Sequence, residues 1–140
     1  MKKIIILWIT LFALTGLVLT ACSSGASASL TGSWKLVSYG SSTNPTPAVA
    51  DVDTTVTFDA NGKINGGVGC NSFGGDYKVS GDKITFGQIA STLMACADPL
   101  MQQESAVFSV FTNEATFKVE GSTLTITSAG GNSVVVLAQK

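Results

Sequence analysis

Short segments in which apolar and polar residues alternate recur along the chain from residue 54 onward. In residues 54–58, Val56 and Phe58 share one face of the predicted strand, and threonines flank them. Alternation with a period of two is typical of a β-strand with one buried face. On this pattern, or on a high content of aromatic and branched residues, the predicted strands are 34–39, 54–58, 63–68, 76–79, 83–86, 89–93, 115–119, 123–127 and 134–138.

Glycine-containing turn signals separate these strands. The turn at 59–62 ends in an Asn-Gly pair, which favours the positive φ of a tight hairpin, and similar signals lie at 80–82, 120–122 and 128–132. Residues 40–52, which contain two prolines, are predicted as a longer loop. Strands of about five residues with a turn about every 8–12 residues are typical of a meander that closes as a barrel or sandwich. The predicted fold is mainly β, a small antiparallel barrel-like domain.

One segment breaks the period of two. Asp98 and Pro99 resemble an N-cap followed by proline at the first helical position. The polar residues 102–105 lie between apolar residues that recur at helical spacing. These apolar residues are Leu100, Val107, Phe108 and Phe111. Residues 99–112 are therefore predicted to form a single helix, packed by an apolar stripe on the barrel or plugging one end of it.

The first residues carry the pattern of an exported lipoprotein. Lys2 and Lys3 precede an uncharged, mostly apolar run, residues 4–19. The small residues and cysteine that follow resemble a bacterial lipobox, which implies cleavage before Cys22 and acylation of its thiol. The run is shorter than the roughly 20 residues that a spanning helix needs. A signal peptide at 1–21 is therefore favoured over an uncleaved transmembrane anchor.

The rest of the chain divides into a tether and one domain. Residues 22–29 contain the lipidated cysteine and a run of small residues that cannot bury enough surface to fold. As a random coil this tether spans roughly 15 Å. Residues 30–140 have the size of one domain. The predicted location is the extracytoplasmic side of the cell envelope, at the outer membrane or periplasmic side in a Gram-negative host.

Composition narrows the classes of partner. Removal of Lys2 and Lys3 leaves six lysines against nine acids, and the chain contains no arginine. Without a basic patch to neutralise phosphates, nucleic acid is not expected as a partner. Contact with the membrane is expected from the acyl chains on Cys22 instead. The domain is expected to be a monomer.

Two cysteines are left once Cys22 carries lipid. In an oxidising compartment, Cys70 and Cys96 are read first as a disulfide, and two buried free thiols are the alternative. A bridge between them would close a loop of about 26 residues and stabilise the fold by roughly 3.5 kcal/mol.

Few residues suited to catalysis are present. The chain contains no histidine, which excludes Ser-His-Asp and Cys-His catalysis within it, and two cysteines cannot close a thiolate zinc site. Asp51 and Asp53 lack the glycine and distal glutamate of a calcium loop. The acids beside predicted turns, interpreted as solvated charges, are Asp59, Asp76, Asp82, Glu114 and Glu120. No enzymatic activity, cofactor or metal is predicted.

A glycine-rich segment, residues 65–77, is the densest feature of the chain. It lacks the ending of a phosphate-binding P-loop, and Ser72 stands where a dinucleotide fingerprint needs its third glycine. The glycines are interpreted as permitting a sharp bend between two strands. Cys70 would be held at this bend, and Phe73 and Tyr77 would pack inward.

A second segment, residues 91–96, runs from a predicted strand to the helix. Leu93 and Met94 are predicted to lie in the core rather than at a site. Cys96 precedes the helix N-terminus, where a thiolate can be stabilised. A reactive cysteine is therefore the alternative to a structural one, although no base is in view.

These segments combine into a signature. Its residues are Gly69, Cys70, Asn71, Phe73 and Tyr77 in the first segment, and Thr92, Met94, Ala95 and Cys96 in the second, after an opening segment at 30–36. This combination resembles the META domain family over residues 30–140. The resemblance implies a barrel-like domain with a helix, in envelope or secreted proteins linked to heat stress, novobiocin resistance, virulence or secretion. It implies no catalytic residue.

Two functions are consistent with these observations. The leading hypothesis is a non-enzymatic, stress-related envelope lipoprotein that binds another envelope component, most simply a protein. The alternative is a lipocalin-like barrel that holds an apolar small molecule, which requires an interior that side chains do not fill. A cysteine-dependent enzyme is the third and weakest hypothesis.

Overall fold

A computed structural model describes residues 29–140 of the chain. The predicted signal peptide at 1–21, the lipidation site Cys22 and the tether up to residue 28 lie outside the described residues. Among the described residues, no helix has the length and apolar character needed to cross a membrane.

The described residues form ten strands and one helix. The strands before the helix are β1 (Gly32–Ser41), β2 (Thr46–Pro47), β3 (Thr55–Phe58), β4 (Lys63–Gly67), β5 (Ser72–Ser80), β6 (Lys83–Phe86) and β7 (Ala90–Ser91). The helix is α1 (Asp98–Val110), and β8 (Glu114–Glu120), β9 (Thr123–Ser128) and β10 (Ser133–Gln139) follow it.

Eight of these strands close into an antiparallel barrel. Their order is β10-β9-β8-β6-β5-β4-β3-β1, and β1 pairs with β10 to complete the circle. The two short strands lie off the circle, β2 beside β1 and β7 beside β5. Closure removes the free edges that an open sheet would present along the barrel. The predicted mainly-β, antiparallel barrel is confirmed.

The β3–β4 hairpin shows how the sequence produces this arrangement. Val56 and Phe58 are buried on the inner face, as their alternation predicts. Gly62 has a φ of 79°, so the Asn-Gly turn adopts the conformation predicted for it. The turn sets the register that places Phe58 opposite Ile64.

Several predicted elements differ in extent, among them the strand predicted at 76–79, which begins earlier as β5 (Ser72–Ser80). The strand predicted at 89–93 shortens to β7, because beyond Ser91 the Thr92 N–H is bonded to the Ser72 carbonyl but the Met94 N–H donates to the Asn71 side chain instead of a strand backbone. The loop predicted at 40–52 contains the end of β1 and the short β2. Asp98 is not the N-cap: Ala97 takes that position without a side-chain hydrogen bond, and Asp98 lies in the first turn, where a negative charge suits the helix dipole.

Helix α1 closes one end of the barrel. Val107, Val110 and Phe111 are buried in the core, and the Phe111 ring lies 5.0 Å from the Phe86 ring, centroid to centroid. The helix was predicted to pack on the barrel or to plug one end of it, and its burial against the core at one end agrees with this prediction. The predicted apolar stripe is buried or half-buried, and two of the polar residues between its members, Gln103 and Glu104, are buried on the same side of the helix.

The two ends of the barrel differ in character. We call the end that carries α1, the β4–β5 turn and residues 87–97 the helix end. The opposite end, called the hairpin end, carries the β3–β4, β5–β6 and β8–β9 turns. Ser29 lies at the hairpin end, where it lines one depression together with Gly62 and Gly81.

Candidate functional site

A buried carboxylate organises the helix end. Glu104, on α1, is 5% exposed and points at the turn between β4 and β5. Its Oε2 accepts hydrogen bonds from the backbone N–H groups of Cys70 (3.1 Å) and Asn71 (2.6 Å), and its Oε1 accepts one from Asn71 Nδ2 (2.7 Å). Three donors compensate for the cost of burying this side chain.

Asn71 also holds the segment before the helix in place. Its Oδ1 accepts hydrogen bonds from the Met94 backbone N–H (2.8 Å) and from Thr92 Oγ1 (2.7 Å). Its Nδ2 donates to the Met94 carbonyl at 3.3 Å as well as to Glu104. The carboxamide therefore pairs with the Met94 backbone as a neighbouring strand would.

A disulfide between Cys70 and Cys96 fixes the same segment from its other end. The two Cα atoms lie 5.9 Å apart, within the range that a bridge requires. The disulfide that the sequence favoured is thus present, and both sulfurs are engaged in it. We call residues 92–96, held between Asn71 and the bridge, the locked loop.

Close backbone approach explains one glycine of the motif. A Cβ at Gly69 would lie 2.7 Å from the Leu100 carbonyl oxygen and 3.3 Å from Glu104 Cβ. Such a distance to a backbone atom is too short for any other residue without movement of the helix. Gly69 therefore lets α1 approach the β4–β5 turn closely enough for Glu104 to reach its donors.

Gln103, next to Glu104, also joins the helix to neighbouring segments by hydrogen bonds. It is fully buried, donates from Nε2 to the Val68 carbonyl and accepts a hydrogen bond from the Val49 N–H at 2.7 Å. The helix is thereby bound to the end of β4 and to the loop before β3. Two adjacent polar residues of one helix thus hold two separate chain segments, residues 68–71 and the loop at Val49.

Comparison with known proteins identifies the family. The sequence pattern of the META domain matches residues 28–140, which is most of the chain. The chain belongs to the META domain family. Among curated proteins, none matches it.

Solved structures share the fold of this META domain. An NMR structure of a protein from Burkholderia xenovorans is similar with a TM-score of 0.64 and 21% identity, over 78% of this chain and 81% of that one. A second NMR structure has a TM-score of 0.58 and 22% identity, over 75% and 86% of the two chains. A crystal structure of a DUF4847 family protein from Bacteroides vulgatus has a TM-score of 0.56 and 14% identity, over 79% and 93%.

Most residues of the predicted signature meet at the helix end of the META domain. Those in or beside the carboxylate-centred network are Gly69, Cys70, Asn71, Thr92, Met94, Ala95 and Cys96. Phe73 lies just beneath, with its ring packed against those of Phe108 and Phe111. Tyr77 is also buried but lies toward the hairpin end, where its hydroxyl donates to the Asp59 carbonyl. The signature is therefore one structural network with Tyr77 outside it.

The prediction that Leu93 and Met94 lie in the core is wrong. Leu93 is 95% exposed and Met94 is 56% exposed. Asn71 and the disulfide fix the backbone of the locked loop in a position that directs these side chains outward. Two large apolar side chains thus stand in solvent on a loop that cannot turn them inward.

Glu104 and Gln103 were not predicted as site residues. A signal was available: both fall at helical spacing from buried residues, Glu104 three before Val107 and Gln103 seven before Val110. Polar residues on the buried side of an amphipathic helix indicate buried hydrogen bonds rather than a solvated face.

The remaining charges of the described residues lie at the surface except that of Asp59, which is half-buried and accepts hydrogen bonds from the Asn61 and Lys63 N–H groups of its turn. Asp76, Glu114 and Glu120 form exposed ion pairs with lysines, in keeping with their interpretation as solvated charges. Hydrogen bonding and the charge of Asp76 raise the pKa of Lys63, and Glu114 acts in the same way on the pKa of Lys83. Within residues 29–140, no three metal-ligating side chains lie close enough to hold an ion.

Proposed function

We propose that this META domain protein is a non-enzymatic lipoprotein of the cell envelope that binds another envelope protein through the locked loop. The observation that carries the proposal is the exposure of Leu93 and Met94 on a fixed backbone. The family resemblance adds a stress-related setting to this role.

The exposed pair has an energetic consequence. Covering a leucine or methionine side chain is worth about 1.5–3 kcal/mol. The locked loop cannot gain this energy by folding onto the barrel, because its backbone is held by Asn71 and Cys70. A partner that covers Leu93 and Met94 gains it without paying for loop ordering, which is the usual basis of a small binding hot spot.

The position of the tether favours a protein over the membrane as the partner. The described chain starts at Ser29, at the hairpin end, whereas the locked loop lies at the helix end. A lipid anchor at Cys22 with a tether of roughly 15 Å would hold the hairpin end near the bilayer. Leu93 and Met94 would then face away from that bilayer.

A binding role also agrees with the chemistry of the site. The chain contains no histidine, and the bridge leaves Cys70 and Cys96 without a thiolate. The oxygens of Glu104 already accept three hydrogen bonds. These groups fix a loop in place and do not form a nucleophile with a base.

The lipocalin-like alternative finds less support. Inward-facing side chains of the barrel strands form one contiguous core that includes Trp34, Phe58 and Ile126. A barrel of eight strands has an interior just wide enough for side chains to fill. The filled interior of this barrel argues against a ligand inside it.

The proposal is tested by photo-crosslinking in the native host. A benzoylphenylalanine at position 93 of the full-length protein should give a covalent adduct with one exported protein, identified by mass spectrometry. The matched control carries the same amino acid at Val79, an exposed apolar position on β5 toward the hairpin end. Adducts at 93 but not at 79, with a higher yield after a heat shift, are the expected result.

Other outcomes would contradict the proposal. Equal adducts at both positions would mean that the locked loop is not a specific surface. Adducts with lipid alone at position 93 would replace the protein partner by the membrane.

The lipid anchor has its own test. Intact-mass analysis of the protein from the envelope fraction should show a chain that begins at Cys22 and carries diacylglycerol. The variant Cys22→Ser should accumulate as an unprocessed precursor. A mature chain that begins at Met1 without modification would refute the proposed location.

A further inference from the structure

We propose that the strand segment at 89–93 accepts an extended, uncharged, apolar peptide of the partner as an added β-strand. This inference rests on the proposed function, because it specifies how the partner engages the surface around the locked loop. Three observations carry it: the pairing pattern of β7, the groove beside it and the charge of that groove.

The pairing pattern decides which backbone groups of β7 are free. Ser91 lies opposite Phe73 and Ala90 opposite Gly74, and the Thr92 N–H donates to the Ser72 carbonyl at 3.0 Å. In an antiparallel pair, residues alternate between those that bond to the partner strand and those that point away. Thr92 bonds to β5, so the N–H and C=O of Ser91 point away from it.

The same alternation extends in both directions from Ser91. From this alternation we infer that the backbone groups of Ile89 and Leu93 point the same way as those of Ser91; the Met94 N–H, which donates to Asn71 on the β5 side, fits the alternation. Within residues 29–140, β7 pairs with β5 and with no other strand. The described part of the chain thus leaves a short open edge at 89–93. An open edge of this kind is a template for a further strand.

A groove runs along this edge, between residues 86–95 and helix α1. One wall of the groove is formed by one face of α1, at positions three or four residues apart. The residues of that face are Met101, Ser105 and Phe108, and Thr112 follows just after the helix. Two depressions of about 500 and 490 Å³ make up the groove, and Phe108 lines both. Leu93 and Met94 form its rim at one end.

The charge of the groove limits the kind of peptide that can occupy it. Of the residues that line the two depressions, Glu104 alone is ionisable, and its oxygens are engaged by Cys70 and Asn71. A groove whose one carboxylate is already hydrogen-bonded, and whose depression beside Leu93 and Met94 is mainly apolar, suits an uncharged apolar segment.

The geometry further favours a peptide of another protein. The N-terminal segment of this chain joins the domain at Ser29, at the opposite end of the barrel. Acyl chains lack the N–H and C=O groups that the edge would pair with. Addition of a strand to an open edge, with pockets for every second side chain, is an established mode of peptide recognition.

The test uses a phage-displayed library of random 12-residue peptides and the processed full-length protein in detergent. Selected peptides should be uncharged, with apolar residues at every second position. The variant Ser91→Pro removes an N–H that the barrel does not use, and it should weaken binding of a selected peptide about tenfold. The matched control Ser91→Ala keeps that N–H and should bind within about twofold of the unmodified protein.

A second measurement covers the case in which Ser91→Pro disturbs the fold. Single N-methylation along the selected peptide should abolish binding at every second residue, because one edge of the added strand pairs with Ser91 and Leu93. The amide hydrogens of these two residues should exchange more slowly in the complex.

The outcomes separate the two proposals. A peptide that binds Ser91→Pro unchanged, or that tolerates N-methylation without a two-residue period, would refute strand addition. Position-specific crosslinking at 93 would in that case still support the locked loop as the docking surface. Failure of the crosslinking, with strand-like peptide binding intact, would count against the proposed cellular function alone.

Discussion

The carboxylate of Glu104 accepts hydrogen bonds from both the backbone N–H and the side-chain amide of Asn71, at 2.6 and 2.7 Å. Helix α1 and the β4–β5 turn are joined through these two residues, which lie 33 positions apart in the chain. Asn71 then holds Met94, so Glu104 acts on the position of the locked loop through Asn71.

The variant Glu104→Gln is expected to lower the free energy of unfolding by about 2 kcal/mol. An amide has one oxygen, so either the backbone donors of Cys70 and Asn71 or the Asn71 Nδ2 group would face an NH₂ group instead of an acceptor. Urea unfolding with the disulfide intact measures the change.

Glu114→Gln is the matched control. Glu114 pairs with Lys83 at the surface, and an exposed ion pair contributes at most about 1 kcal/mol. Equal losses for the two variants would show that the buried hydrogen bonds of Glu104 have no special weight.

The barrel could be predicted from the sequence because the signals that specify its strands and hairpins are local. Alternation placed Val56 and Phe58 on one face, and the Asn-Gly turn at Gly62 set a hairpin that needs nothing else from the rest of the chain. The number and spacing of such hairpins predicted a barrel-like meander, whereas the pairing of β1 with β10 that closes it joins segments about 100 residues apart and came from the structure.

The errors at the site have one physical origin. Glu104 is tolerated inside because the β4–β5 turn presents three N–H groups to it. Helical spacing could place Glu104 on the buried side of α1, but nothing local in the sequence shows which distant segment supplies its donors. Leu93 was expected inside because it is apolar, yet its backbone is fixed by Asn71 and Cys70, which lie more than 20 positions earlier. Tertiary restraint overrides side-chain preference in both cases.

Removal of the bridge by the double substitution Cys70→Ser and Cys96→Ser is expected to lower the free energy of unfolding by roughly 3.5 kcal/mol, since a loop separation of 26 residues gains that much chain entropy in the unfolded state. The amides of residues 92–97 should exchange faster. Reduction of the unmodified protein with dithiothreitol should reproduce both effects. Identical unfolding midpoints with and without reductant would contradict the structural role of the bridge.

Leu93→Ala is expected to change the free energy of unfolding by no more than about 0.5 kcal/mol, because an exposed side chain away from special features contributes little to stability. Leu137→Ala is the matched control: the same atoms are removed from a fully buried position of β10, at a cost of about 2–5 kcal/mol. Urea unfolding compares the two. A loss at Leu93 close to that at Leu137 would mean that the locked loop packs against the domain in solution.

The pH dependence of one surface pair follows from its geometry. Lys140 Nζ lies 3.0 Å from the Asp53 carboxylate, and this hydrogen bond and the lysine charge lower the pKa of Asp53 below its ordinary 3.8. The pair therefore stabilises the fold at pH values above the ordinary pKa of 3.8. This contribution is lost as the pH falls through the lowered pKa. NMR titration of the Asp53 carboxyl should show the low value, and Lys140→Ala should return it toward 3.8. An unchanged pKa in the variant would show that the pair does not form in solution.

The last prediction concerns the contact that lets the helix reach the β4–β5 turn. Gly69→Ala would place a methyl group 2.7 Å from the Leu100 carbonyl oxygen, a backbone atom that moves only if the first turns of α1 move. Overpacking of this kind costs about 1–3 kcal/mol. Because the helix would shift away from the turn, the Cys70 and Asn71 amides should also lose protection from hydrogen exchange. Gly130→Ala is the control, since its methyl group would meet no atom closer than 3.6 Å and its φ is not positive. If Gly69→Ala lowers stability while the Cys70 and Asn71 amides keep their protection, the strain is relieved elsewhere, and close approach at Gly69 is not what positions Glu104.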